Sequence, residues 1–88
     1  MRRALLACLL MAVAPSAFAN VQCTSEVKDK WLPESRIKQM AADLGHKIVV
    51  FKVTAGNCYE IYGRDKQNRR IEIYFNPVDG TIVKQNAL

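Results

Sequence analysis

Cys58-Tyr59-Glu60-Ile61-Tyr62-Gly63, a polar turn, Arg70-Ile71-Glu72-Ile73-Tyr74-Phe75, and then Asn76-Pro77-Val78-Asp79-Gly80-Thr81-Ile82-Val83 form the tract that decides the fold. Two segments alternate apolar and polar residues with period two, and turn-forming residues close each of them. This is the pattern of an antiparallel hairpin followed by a second tight turn. Upstream, Lys47–Val53 is a β-branched and aromatic run that reads as a further strand. Ala55-Gly56-Asn57 and Lys66-Gln67-Asn68 have the length of three-residue hairpin loops. Such loops place a left-handed residue third, and asparagine tolerates that conformation.

With both loops of this kind, the register follows by counting. Val53 faces Tyr59, Phe51 faces Ile61, Ile61 faces Ile73 and Tyr59 faces Phe75. One sheet face then carries Val49, Phe51, Val53, Tyr59, Ile61, Ile71, Ile73 and Phe75, apolar enough to receive a helix. The other carries Val50, Lys52, Cys58, Glu60, Tyr62, Glu72 and Tyr74, with Glu60 opposite Tyr74 and Tyr62 opposite Glu72. Pro77 and Gly80 shape the turn into a short fourth strand near Thr81–Lys84.

The helix lies just upstream. Pro33 suits a first helical turn, where its missing N–H costs nothing, and Glu34 complements the positive end of the helix dipole. Ile37, Met40, Ala41 and Leu44 recur at helical spacing and mark the docking face. Gly45 is placed to end the helix in a left-handed conformation. The expected fold class is α+β: one amphipathic helix packed on a three- to four-stranded antiparallel β-meander.

The chain has 88 residues, with 13 Lys and Arg against 8 Asp and Glu. Met1-Arg2-Arg3, the apolar run Ala4–Ala14, and small residues at 17 and 19 predict a secretory signal peptide over 1–19, cleaved after Ala19. The apolar run is too short to cross a bilayer, so no transmembrane segment is expected once the signal is removed. Loss of Arg2 and Arg3 leaves 11 basic residues against 8 acidic, a net charge of +3. These charges are interspersed and form no basic stripe with stacking aromatics, which argues against nucleic acid. The expected organisation is a signal peptide at 1–19, a leader at 20–32 and a folded domain at 33–88, in a periplasmic or secreted protein.

Cys8 leaves with the signal, so Cys23 and Cys58 remain. In an oxidising compartment an even pair forms a disulfide by default. Cys58 belongs to the face away from the helix, so the leader is expected to cross that face or its rim. There is no Cys-x-x-Cys, and two cysteines with His46, expected at the surface, do not furnish a zinc site. Catalysis requires a nucleophile with its base, paired carboxylates in a cleft, or a metal. Ser25 and Ser35 have no histidine in any motif. Glu60 and Glu72 share a sheet face, but a flat exposed face does not raise a carboxylate's pKa. No catalytic residue, metal site or cofactor is expected.

Trp31-Leu32-Pro33, a helix ending at Gly45, Cys58-Tyr59-Glu60-Ile61, Arg70-Ile71-Glu72-Ile73-Tyr74-Phe75 and Asn76-Pro77-Val78-Asp79-Gly80-Thr81-Ile82-Val83 together resemble a short, exported, stand-alone PepSY domain. The resemblance covers Trp31 to Lys84. It departs from the family pattern in two turns: Asn76 stands where Asp usually precedes the proline, and Asn68 where Gly is frequent. PepSY domains are similar to segments of thermolysin-like peptidase propeptides. The resemblance implies a non-enzymatic protein-binding module, a peptidase modulator or inhibitor, whose partner is a peptidase or a membrane-associated exported protein. On the residues themselves, Glu60, Tyr62, Glu72 and Tyr74 are the candidate partner-binding set, because exposed tyrosines serve protein-binding surfaces. The alternative is an exported protein that binds a small ligand or a metal, in a pocket between helix and sheet or through carboxylates clustered by the turns. Mass spectrometry of protein recovered from an exporting host tests the first boundary: the mature chain is expected to begin at Asn20.

Overall fold

The computed structural model describes residues 21–88; the expected signal peptide lies outside the described residues. The chain runs through a 3-10 turn at Lys28–Lys30, helix α1 at Glu34–Asp43, and strands β1 Lys47–Val53, β2 Tyr59–Arg64, β3 Arg70–Phe75 and β4 Ile82–Ala87. The strands form one sheet in the order β1-β2-β3-β4, every neighbouring pair antiparallel.

The turns set the register. Asn57 and Asn68 adopt φ of 61° and 65°. In the first loop the Asn57 N–H donates to the Thr54 carbonyl and the Thr54 N–H to the Cys58 carbonyl, both at 3.0 Å. In the second, Asn68 and Asp65 donate in the same pattern to the Asp65 and Arg69 carbonyls at 2.9 Å. The Asp65 carboxylate adds bonds from the Gln67 and Arg69 N–H groups, each 2.9 Å. The resulting pairs are Val53 with Tyr59, Phe51 with Ile61, Ile61 with Ile73 and Tyr59 with Phe75, as the loop lengths require. β4 runs three residues further than its pattern suggested, to Ala87.

Two strands depart from simple alternation: β4, where the register with β3 shifts between Tyr74 and Phe75 and leaves Val83 unpaired, and β1. The β1 register shifts between Ile48 and Val50, which leaves Val49 in a bulge. Val49, expected on the helix face, is 68% exposed, and Ile48 packs against the core in its place. A bulge spends one residue without a partner and so reverses the parity of everything beyond it.

Helix α1 starts after Pro33, which is its N-cap rather than its first helical residue. It ends in a paired capping motif. The His46 N–H donates to the Ala41 carbonyl at 3.0 Å, the Gly45 N–H donates to the Ala42 carbonyl at 2.9 Å, and Gly45 has φ of 87°. These bonds satisfy carbonyls that the helix end would otherwise strand. The face that docks is Ile37 and Ala41, both fully buried, with Met40 at its border. Leu44, expected to dock, is the C-cap and remains 46% exposed. The helix ends there, and Leu44 borders a shallow cavity with Met40, Phe75 and Ile82 instead of filling the core. Opposite the helix, Tyr59, Ile61, Ile71, Ile73 and Phe75 complete the core.

The leader is fastened across one end of the sheet. Cys23 and Cys58 form a disulfide with Cα atoms 5.1 Å apart. The Cys23 N–H donates to the Gly56 carbonyl at 3.0 Å, and a Cβ on Gly56 would overlap the Val21 carbonyl. Glycine is therefore what lets the leader lie on this turn. The Asn76 side-chain amide donates to the Cys23 carbonyl at 3.1 Å, while its oxygen accepts from the Val78 N–H. An aspartate at 76 would keep the turn bond and lose the donor. Further along, the Leu32 N–H donates to the Pro77 carbonyl, and the Tyr59 hydroxyl donates to the Leu32 carbonyl, both at 2.7 Å. Trp31 meets Tyr59 edge to face, ring centroids 5.4 Å apart.

Two outcomes follow. Ile37→Ala is expected to cost about 2–5 kcal/mol, since it opens a cavity at a fully buried position, whereas Leu44→Ala is expected to cost much less. Equal denaturation midpoints for the two variants would contradict the docking face. Loss of the disulfide by a Cys23→Ser/Cys58→Ser double change frees a loop with a sequence separation of 35. Loop-closure entropy predicts a loss of about 4 kcal/mol, measurable by urea denaturation.

Candidate functional site

The sheet face away from α1 gathers the titratable residues. The register sets Lys52 opposite Glu60 and Val50 opposite Tyr62. It sets Glu60 opposite Tyr74 and Tyr62 opposite Glu72, as counting from the loops requires. β4 contributes Lys84 opposite Tyr74 and Asn86 opposite Glu72. Four strands thus build one surface around the diagonal pair Glu60 and Glu72.

This surface is not the solvated face expected from its polar residues. Glu60 is 3% exposed and Glu72 9% exposed, and Tyr62 and Tyr74 are half-buried beside them. Both carboxyls sit on central strands, with long side chains on either side. The Tyr74 hydroxyl donates to Glu72 Oε2 at 2.9 Å, and the Asn86 amide donates to Glu72 Oε1 at 3.0 Å. Lys52 Nζ stands 3.9 Å from Glu60 Oε1 and lies over the Tyr62 ring, 5.3 Å from its centroid. Glu60 Oε2 is buried without a hydrogen-bond donor.

The two carboxyls are pushed apart in acidity. Burial, reinforced by the neighbouring Glu72 carboxyl, raises Glu60 above the usual glutamate value. The neighbouring Glu60 carboxyl, with the hydrogen bonds from Asn86 and Tyr74, holds Glu72 down at about 2 against the opposing effect of burial. Tyr62 is raised, chiefly by the neighbouring carboxyls of Glu72 and Glu60. Tyr74 is raised by burial first and by its bond to Glu72 second. The expectation that a carboxylate on this face keeps its ordinary pKa is therefore overturned. A low-dielectric face with a neighbouring carboxyl shifts both groups, whatever its flatness.

Cys58 lies where this face meets the rim, and the leader tied to it crosses that rim at Gly56. His46, expected at the surface, is half-buried. Among the described residues, no group of three or more His, Cys, Asp or Glu is arranged to hold a metal. Three shallow cavities lie among the described residues. One of about 280 Å³ lies between the end of α1 and the sheet, against Met40, Leu44, Phe75 and Ile82. One of about 260 Å³ lies under the leader at Trp31, Pro33 and Tyr59. The third, about 180 Å³, touches Tyr62, Arg64, Arg70 and Leu88. None of these three is lined by Glu60 or Glu72. Sequence reasoning missed Asn86 and Lys84 as members of the face. The irregularity at Val83 turns them outward: alternation counted from Ile82, which pairs with the core residue Phe75, would have placed both on the other face.

A family model described as peptidase propeptide and YPEB domain matches residues 3–86. No curated protein and no solved structure gives a significant match.

The acid limb of stability follows from Glu72. Its folded pKa is depressed, so the stabilisation is present above the ordinary glutamate value of 4.5 and is lost as pH falls toward about 2. Tyr74→Phe removes one donor and is expected to shrink this acid-dependent loss. Thermal unfolding midpoints of both proteins across that window check it, and identical profiles would contradict the assignment.

Proposed function

The chain belongs to the peptidase propeptide and YPEB domain family, and from that membership we propose that it is an exported, non-enzymatic protein-binding module that modulates a peptidase. The observation that carries the reading is the family match over residues 3–86, nearly the entire chain. PepSY domains are generally non-catalytic propeptide- or inhibitor-type modules associated with peptidases. The Cys23–Cys58 disulfide fits an extracellular location, and no helix among the described residues is long and apolar enough to cross a membrane. The signal-like residues 1–19 support export to the periplasm or the medium.

The surface we assign to the partner is the outer face around Glu60, Tyr62, Glu72 and Tyr74. Central aromatic residues with a polar surround are what interface anchors use. Tyr62 suits this role: it is half-buried, flanked by the Lys52 ammonium, and outside the helix-facing core. The edges of β1 and β4 offer the competing mode, strand addition, in which backbone groups supply the bonds.

The oxidised mature protein is to be tested against a panel of exported peptidases that includes a thermolysin-like metallopeptidase. The readouts are slowed peptide hydrolysis and direct binding. At least one peptidase is expected to be bound, and Tyr62→Ala is expected to weaken it by roughly 2 kcal/mol, about 30-fold. Undiminished binding by Tyr62→Ala would move the contact to a sheet edge. Absence of binding and of any effect on hydrolysis across the panel would contradict the peptidase reading.

A further inference from the structure

The hydrogen-bond inventory of the outer face is asymmetric. Both Glu72 oxygens already accept, one from the Tyr74 hydroxyl and one from the Asn86 amide. Glu60 has one oxygen near the Lys52 ammonium and the other buried with no donor at all. A buried carboxylate oxygen without a partner is costly, and two buried neighbouring carboxylates repel. A single proton removes both costs. Placed on Glu60, it turns the orphaned acceptor into an O–H donor toward Glu72, which is already equipped as the anion.

We propose that Glu60 and Glu72 hold one proton between them, Glu60 as the acid and Glu72 as the anion, so that pH switches the charge of the outer sheet face. The groups that face the pair are Lys52 from β1, Tyr62 from β2, Tyr74 from β3, and Lys84 and Asn86 from β4. Lys52 is the one cation seen close to Glu60 among the described residues, and at 3.9 Å and half-exposed it is a loose partner. With the proton in place, Glu72 is the pair's one anion, on a face that also carries Lys52 and Lys84. Loss of the proton adds a second buried negative charge, on a carboxylate whose Oε2 has no hydrogen-bond donor. The raised pKa of Glu60 and the lowered pKa of Glu72 have the signs this arrangement requires.

The stability consequence has a definite sign. Glu60 has a folded pKa above its unfolded value, so its contribution is present at low pH and is lost as pH rises through the folded value. It therefore opposes the trend set by Glu72, and stability is expected to peak between the two transitions. The consequence for binding rests on the partner reading above: a partner seated on this face meets a different charge on either side of the Glu60 transition.

The decisive experiment uses the free oxidised protein, so its outcome is independent of whether a peptidase binds. Side-chain carboxyl carbon shifts of 13C-labelled glutamates are followed by NMR as pH is raised. Two well-separated steps are expected from the pair, one near the bottom of the range and one above the ordinary glutamate value of 4.5. They are macroscopic steps of a coupled pair, so variants assign them. Glu60→Gln supplies a permanent amide donor in place of the acid. It is expected to abolish the upper step and the fall of unfolding midpoint that accompanies it. Both carboxyls titrating together at the ordinary value would overturn the proposal, as would an upper step that survives in Glu60→Gln. If that variant does not fold, the titration of the unaltered protein decides by itself. Partner binding that is lost while the two steps remain would count against the peptidase reading and leave the proton pair standing.

Discussion

Two asparagines in left-handed backbone conformation hold the rest of the structure in place. Asn57 and Asn68, at φ of 61° and 65°, each close a three-residue loop. Loop length fixes which residue faces which, and side chains alternate between faces, so these two residues decide what is core and what is outer surface. Shift β2 by one position and Ile61 leaves the core while Glu60 enters it. Because the same register places Glu60 diagonally from Glu72, the candidate site depends on the same constraint as the hydrophobic core.

A second layer of fastening acts at one end of the sheet. The leader is bound there by a covalent bond at Cys58, a backbone bond at Gly56, a side-chain bond from Asn76, and aromatic contact between Trp31 and Tyr59. Asn76 is instructive. It departs from the family's usual aspartate, and its amide uses the difference by donating to the Cys23 carbonyl. A small domain with a modest core gains from covalent closure of a long loop. The leader also supplies core-flanking residues Trp31 and Leu32.

The sheet register was legible because β2 and β3 alternate cleanly and their loops carry residues that accept positive φ. The helix end was legible for a related reason, since Gly45 stands where the left-handed cap is needed. Three features were not legible, each for its own cause. Ile48-Val49-Val50 is apolar throughout, so its pattern carries no parity and hides the bulge. Leu44 fits the helical stripe, but a stripe does not say which of its positions is the C-cap. Burial of Glu60 and Glu72 was hidden because a solvated face and a covered polar cluster have the same alternation. What separates them is the reach of neighbouring side chains, including Asn86 on a strand longer than its pattern suggested. The peptidase connection was legible only through family resemblance, because no residue in this chain has a pattern that names a reaction.

The account rests on the β2–β3 register, and cross-strand proton contacts measure it directly. In an antiparallel ladder, alternate residue pairs bring their α-protons into close contact. Nuclear Overhauser spectra of the oxidised protein are expected to connect the α-protons of Glu60 and Tyr74, and those of Tyr62 and Glu72. Contacts of Glu60 with Ile73 or Phe75 in their place would mean a one-residue slip. The carboxyl pair and the core that shares its register would then both be wrong.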